Sequence, residues 1–494
     1  MSMWLDSCLR DHKGKCGASP DVDASWHPKR LLHINKSSDR VRLIDTASEK
    51  PTGRYATLSH CWGPNPTFLR LDASNMASLM ADGIATAALP PSFRDTVVTC
   101  QRLHIAYLWI DSLCIQQHGA GSSADWSLHA IQMASIYQNC VLNIAIDRAA
   151  SPWDGAFASR DPSPLQHSTV RLLRRTCTVG SAADEPEKLR GRQPLASRAW
   201  VLQERLLAPR VLHFGGDRVF WECSVAWLDE LRPGGCRASP SRPLAVYDPF
   251  DVPTDARGKP ARFWNVIVKR YSALQLSHPR EDKLVAIAAV ARRVAPLFGG
   301  KGEYVAGHFR RALPGELLWR PEVGMGGGRR QWEWRAPSWS WASMDGACSV
   351  SARRRVDVGL VEVVGVEVEL VDPEDEYGRV RSGVLRLRGL LLGFVTAGVE
   401  SEELLGWVEG AVCAGTSVAG GGVRVLVSFD DVERQQWYLS EELFVMPFND
   451  EDGLVFRRME EHVYERVGRS WGCSGDFRAA GELDGVQKHV VKIV

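Results

Sequence analysis

The sequence has no C-x-x-C pair, no uninterrupted apolar stretch of membrane-spanning length and no excess of charge of either sign. Sixty Lys and Arg face 59 Asp and Glu, a formal net charge of +1. No global field therefore draws the chain to nucleic acid or to an anionic lipid surface. The longest strongly apolar run, Leu284 to Ala291, is far short of the roughly 20 residues that a membrane helix needs. The opening MSMWLDSCLRDHKGK is broken by Asp6, Arg10 and Asp11, so it lacks the apolar core of a signal peptide. Secretion and a membrane span are not expected, and a cytoplasmic location is. The twelve cysteines are scattered, and Cys100, Cys114 and Cys140 sit inside apolar patterns. Buried free thiols in a reducing compartment account for this better than a disulfide framework. No repeat of solenoid or propeller period is present, and Gly324 to Gly328 lacks the lysine and the strand–loop–helix setting of a phosphate cradle.

What is present is an ordinary globular balance, 45% hydrophobic and 24% charged over 494 residues, enough for two or three domains. From Tyr55 the pattern alternates. Tyr55 to Cys61 reads as a strand ended by Gly63-Pro64, and Tyr107 to Ile110 and Val141 to Ile146 read as two more. Between them lie two helices. The first opens at Pro90-Pro91-Ser92, with Ser92 as N-cap and Asp95 three residues on. The second runs from Asp125 to Asn139, with Trp126, Ala130, Met133 and Tyr137 on one face. This order predicts an α/β fold built on a mainly parallel sheet flanked by helices. A polar excursion spans 160–194. A helix follows through Trp200 and Leu207, then a hairpin around Gly215-Gly216-Asp217. Residues 231–260 read as a linker and Phe263 to Leu297 as helical. Beyond Trp339 the valine- and leucine-rich runs predict a β-rich domain. The expected division is an N-terminal segment 1–52, an α/β domain 53–223, a linker and helical connector 224–334, and a β-rich C-terminal domain 335–494.

Ligands of parallel α/β sheets bind outside the carboxyl ends of the strands. Those ends carry Ser59, His60, Cys61, Asp111 and Ser112. Asp111 ends an apolar strand, where it either lines a ligand site, as a hydroxyl-orienting or acid/base group, or binds the backbone amides around Ser112. His60 and Cys61 are strand neighbours pointing to opposite faces and cannot form a dyad, and a buried thiol is the better reading of Cys61. Glu204 and Arg205 face different directions on their helix, and one of them is expected to turn toward Asp111 or Arg94 as a structural ion pair. Trp339 and Trp341 are placed on one strand face, where they would seal a junction between domains. Cys8, His12 and Cys16 share one helix face at i, i+4 and i+8, with His27 or His33 as a possible fourth ligand for zinc. Gly14 and the missing knuckle spacing favour an apolar cluster without metal instead.

Four segments together resemble the fungal heterokaryon-incompatibility (HET) family. They are GRYATLSHCWG (Gly53 to Gly63), YLWIDSLCIQQ (Tyr107 to Gln117), the helix with Asp125, Trp126, Met133 and Tyr137, and SRAWVLQERLLAPRVLHF (Ser197 to Phe214). WLDSCLRDHKGKC and RAPSWSWASMDG (Arg335 to Gly346) resemble flanks of larger members. The resemblance implies a part in self/non-self recognition leading to programmed cell death, through an incompatibility partner or self-association. The family also has a proposed distant similarity to TIR domains, some of which cleave NAD with a glutamate on a helix beside the sheet. NAD is thus a possible substrate and no bound cofactor is implied. Where HET sequences often carry a glutamate three residues after the tryptophan, this chain has His129. That histidine reads as a helix-surface residue, with general base as its functional alternative. Asp125, Ser59 and Asp111 would complete such a pocket.

Overall fold

In a computed structural model, the chain forms two compact units, Met1–Asp251 and Val252–Val494. The structure describes all residues except 14, 17–25, 36–38, 161–167, 173–174, 180–190, 192, 231, 237–258, 323–327, 331–332, 351–355, 358, 401–402, 410–421, 432, 450 and 473–487. Much of the 160–194 excursion, most of the 231–260 linker and most of the glycine loop at 324–328 therefore lie outside the described residues.

The first unit opens with helix α1 (Ser2–Asp11), strands β1 (Arg30–Ile34) and β2 (Arg40–Asp45), and helix α2 (Thr46–Glu49). Strand β3 (Tyr55–Ser59) is followed by helix α3 (Met76–Ala81), strand β4 (Ile84–Ala85) and helix α4 (Pro91–Arg102). Next come β5 (Tyr107–Trp109), the single turn α5 (Asp111–Cys114), the long helix α6 (Ser122–Asn139) and β6 (Leu142–Ala145). A hairpin of β7 (Ser168–Leu172) and β8 (Arg175–Val179) stands apart. Helix α7 (Ala199–Leu207) leads to β9 (Arg210–Phe214), β10 (Val219–Cys223), β11 (Trp227–Asp229) and β12 (Arg232–Cys236).

Ten strands form one sheet in the order β12-β11-β10-β9-β6-β3-β5-β1-β2-β4. The pairs β5–β3, β3–β6 and β6–β9 are parallel. The remaining six neighbouring pairs are antiparallel. The sheet is therefore mixed. The expected parallel strands form its centre, and short local hairpins extend both sides, because antiparallel neighbours need only a tight turn. Taken in chain order, the four parallel strands lie 2-1-3-4, so the winding reverses between β3 and β6. Every residue of β3 and β6 is buried, as expected for strands covered on both faces.

Three local details differ from the sequence expectation. Helix α4 begins at Pro91, not after a Ser92 cap, because proline already has the φ of the first helical position and lacks the N–H that would go unpaired. Asp95 instead accepts hydrogen bonds from the backbone amides of Ala156 and Phe157, at 2.8 and 2.9 Å. The buried face of α6 is set by Asp125, His129, Ile136 and Tyr137, whereas Trp126 is 40% exposed. The reason is electrostatic: Asp125 turns inward to pair with the buried Arg30 guanidinium, and a buried cation must be met by a carboxylate.

In the second unit the helical stretch is three helices, Lys259–Ser272, the single turn Pro279–Asp282 and Val285–Val294. The apolar run Leu284 to Ala291 is a buried core helix. Nine strands build an antiparallel-rich sheet. Pairing of Asp452–Glu460 with Val463–Gly472 closes six of them into a ring. Trp339 and Trp341 are fully buried, but the segment is not a strand, since Trp341–Ser343 forms a 3-10 turn. Their backbone and ring groups are used locally: Trp319 Nε1 donates to the Trp339 carbonyl at 2.9 Å and Trp341 Nε1 to that of Gly307 at 2.8 Å.

Arg466 fixes the interior of this unit. It is fully buried and donates to both oxygens of Asp430, at 2.9 and 3.2 Å. It also donates to the carbonyls of Leu317 and Trp319, and its guanidinium lies 3.4 Å from the Trp319 ring centroid. Asp430→Ala leaves that cation without its anion, and denaturant unfolding of the full chain is expected to show a loss of about 3–5 kcal/mol. A loss below about 1 kcal/mol would show that the carbonyl and ring contacts satisfy the charge without Asp430.

Candidate functional site

Polar side chains gather where β3, β5 and β6 end. Within the sheet, Thr57 Oγ1 donates to Asn143 Oδ1 at 3.1 Å, and Asn143 Nδ2 donates to Ser59 Oγ at 3.0 Å. These buried groups satisfy one another across the reversal point between β3 and β6. Ser59 Oγ in turn donates to the Glu204 carboxyl, which arrives from α7. The buried Tyr137 of α6 faces the same pair.

One residue on, the chain leaves the sheet and His60 turns toward β5. Its Nε2 donates to Asp111 Oδ1 at 3.1 Å, and Trp62 Nε1 donates to Asp111 Oδ2 at 2.9 Å. The Ser112 amide donates to Asp111 Oδ1 at 2.7 Å, so Asp111 holds its own turn as well as the histidine. The His60 ring lies parallel to Trp62 and edge-on to Phe93, with centroids 6.4 and 4.9 Å away. Arg198, just before α7, donates to the His60 carbonyl at 2.6 Å. Asp111 keeps 30% of its side chain exposed while His60 is buried, so the carboxylate is the accessible member of the pair.

The two carboxyl groups are displaced in opposite directions. Burial pushes both up. For Asp111, the neighbouring His60, Arg198 and Trp62 outweigh burial and hold it below the ordinary carboxylate range. For Glu204, burial prevails over Ser59 and Arg198, and the negative charge of Asp111 adds to the rise. Two neighbouring carboxyl groups pushed apart in this way are an arrangement suited to acid/base work. Cys61 does not share in it: burial raises its thiol to about 11, and it packs with Ala145, Leu195, Val201 and Val211. It lacks the thiolate character of a nucleophile.

Asp125 and His129 have other partners. Asp125 binds Arg30, Lys29 at 3.0 Å and the Gln116 amide at 2.9 Å. His129 is fully buried rather than on the helix surface, its Nδ1 2.7 Å from the Asp125 carbonyl. Burial lowers its pKa, so it stays neutral. Cys8, His12 and Cys16 are brought together, but with Cys223 as the fourth member. His27 Nε2 is 2.9 Å from the Gly53 carbonyl and His33 stacks on Tyr107, so neither completes that group.

Arg198, Asn143 and Tyr137 join the site without having been singled out for it, and Glu204, expected as a structural ion-pair partner rather than a catalytic group, joins it through Ser59. The expected ion pair of Glu204 or Arg205 with Asp111 or Arg94 is replaced by two separate contacts, Glu204 with Ser59 and Arg205 with Glu222. The usable signal was the pairing of a strand-end serine with a glutamate five residues into a helix that follows the third parallel strand.

Residues 55–204 match the family model described as heterokaryon incompatibility protein (HET). The chain carries a HET domain. Such a domain implies a role related to heterokaryon incompatibility. No curated protein and no solved structure matches the chain. The match begins at Tyr55, the first residue of β3, and ends at Glu204, so the HET domain contains every residue of the carboxyl-end cluster. Among the described residues, no helix is long and apolar enough to cross a membrane.

Behind the HET cluster lies a second buried charge group. His213 Nδ1 is 2.8 Å from Asp147 and Nε2 3.3 Å from Glu222, which also receives Arg205 at 2.7 Å. Burial alone would lower the His213 pKa, but the two carboxylates raise it above the ordinary value. A histidine with a raised folded pKa contributes stability that is complete below its unfolded pKa of about 6.5 and is lost as pH rises through the folded value. Thermal unfolding of His213→Asn is therefore expected to lack the part of the decline that the native chain shows above neutral pH. Parallel pH profiles for the two proteins would contradict this assignment.

Proposed function

We propose that the chain is an effector of fungal heterokaryon incompatibility whose carboxyl-end cluster hydrolyses the N-glycosidic bond of NAD, the lost nucleotide being the route to programmed cell death. The supporting observation is the glutamate on α7: the group absent at His129 has a counterpart in Glu204, on a helix beside the sheet and joined to Ser59 at the reversal point. Ligands of doubly wound sheets bind at that point. In the reaction, water adds to the ribosyl carbon while the bond to nicotinamide breaks. Nicotinamide leaves with the bonding electrons, and a proton is released. Asp111, ionised and partly exposed, stabilises the ribosyl cation as it forms. Glu204, whose raised pKa makes it the stronger base of the two carboxyl groups, takes the proton from the attacking water, and Arg198 anchors the strand-end turn.

An interaction-driven effector is the second reading, with an incompatibility partner or another copy of the chain as the contact. It draws on the exposed Trp126, Leu128 and Ile131, large apolar side chains that α6 leaves 39–43% accessible.

The deciding measurement is NAD consumption by the purified full chain, alone and forced to oligomerise through a fused dimerisation module. Glu204→Gln and Asp111→Asn should each lower the rate by about 100-fold or more. Asp111→Asn should cost no more than about 1 kcal/mol of stability, because its shape and most of its hydrogen bonds are kept. The rate should fall as pH drops, first as Glu204 is protonated above the usual carboxylate range and then as Asp111 is protonated below it. No NAD loss in either state, with killing of a fungal host abolished by Trp126→Asp but not by Glu204→Gln, would replace the enzymatic reading with the second.

A further inference from the structure

We propose that Cys8, His12, Cys16 and Cys223 form a structural zinc site that fastens the N-terminal helix to strand β10 of the ten-stranded sheet. Their four ligand atoms all lie within 4.8 Å of one another. His12 Nδ1 is 3.7 Å from Cys16 Sγ and 3.6 Å from Cys223 Sγ. Tetrahedral zinc with Zn–S near 2.3 Å and Zn–N near 2.0 Å sets ligand atoms about 3.5–3.8 Å apart. The spacing is that of ligands around one ion.

Local structure explains how the four converge. Cys8 faces inward from the last turns of α1, and His12 caps that helix at its end. The Cys16 amide then donates to the His12 carbonyl at 3.0 Å, which folds the chain back and buries Cys16 completely. Cys223, at the end of β10, supplies what the N-terminal spacing lacks, although it stands 211 positions from His12. A site filled by four protein ligands has no open position for substrate, which makes it structural rather than catalytic.

The surroundings supply hydrogen-bond donors to two of the sulfur atoms. The Ala226 amide donates to Cys223 Sγ at 3.3 Å, within a tight turn closed by the Cys223 amide on the Ala226 carbonyl at 3.0 Å. Such N–H···S bonds are the outer support that orients metal-bound sulfur. Arg210 is buried, and its Nε donates to Cys8 Sγ at 3.2 Å, with Nη1 3.3 Å from the Val141 carbonyl. Among the described residues it has no carboxylate partner.

The inference does not depend on the proposed NAD chemistry. Full-length chain purified in chelator-free buffer is expected to contain about one zinc by elemental analysis. Cobalt exchanged into the site should give the intense visible bands of tetrahedral cobalt with thiolate-to-metal charge transfer. Chelator stripping should lower the melting temperature and open Cys8, Cys16 and Cys223 to alkylation, both reversed by adding zinc. Cys223→Ser should lose the metal and the thiolate charge-transfer intensity. If that variant does not fold, the cobalt spectrum and alkylation of the unmodified chain still decide. Absence of zinc together with absence of a thiolate–cobalt spectrum overturns the proposal, as does a Cys8–Cys16 disulfide in freshly purified protein. Metal retained at full stoichiometry in a folded Cys223→Ser chain places it elsewhere and overturns it equally.

Discussion

A strand covered on both faces can hold a polar side chain only if a neighbouring strand or a covering helix satisfies it, and presents one to the outside most readily where it ends. The centre of the HET sheet follows from that constraint. Thr57, Ser59 and Asn143 share hydrogen bonds across two neighbouring strands inside the layer. The first side chains free to turn outward are those just past the last ladder residue, beginning with His60. Chemistry gathers at the carboxyl ends because few polar side chains within the central sheet can face a ligand.

Charge is managed in the same way. Three buried groups, Arg30 with Asp125, Arg205 with Glu222 and His213, and Arg466 with Asp430, each pair a cation with a carboxylate. Asp111 differs by keeping an exposed flank, and Glu204 by having a hydroxyl rather than a cation as its nearest hydrogen-bond partner. Fully matched pairs are fixed, whereas a carboxylate with an open side and a carboxyl without a bound cation have capacity left for a ligand.

The parallel centre was legible because buried strands separated by helix-length intervals leave a strong period signal, and its three strands pair as Tyr55, Tyr107 and Val141 suggest. Of the antiparallel flanks, the hairpin around Gly215 to Asp217 was legible from its turn, whereas β1, β2 and β4 were not, since their partners are chosen by packing. At the site, Ser59, His60, Asp111 and Ser112 follow from strand ends alone. Glu204 was harder, because a helix residue's target depends on how the helix is rotated. The face of α6 failed for the same reason: periodicity favoured Trp126, and the charge on Arg30 selected Asp125 and His129. Cys223 was invisible beside Cys8, His12 and Cys16, because convergence across two hundred residues leaves no local spacing.

The closed ring in the second unit bears on how the protein behaves when concentrated. Closing the ring removes one of the sheet's two edges, and among the described residues the edge that remains is Val361–Leu370. Its outward Glu362, Glu367 and Glu369 are bound across the strand pair by Arg388, Arg386 and Arg381. A second chain adding there would meet an acidic border whose countercharges are already taken. Runaway stacking of one sheet on the next, the ordinary hazard of a valine-rich edge, is thereby discouraged at the last place left for it.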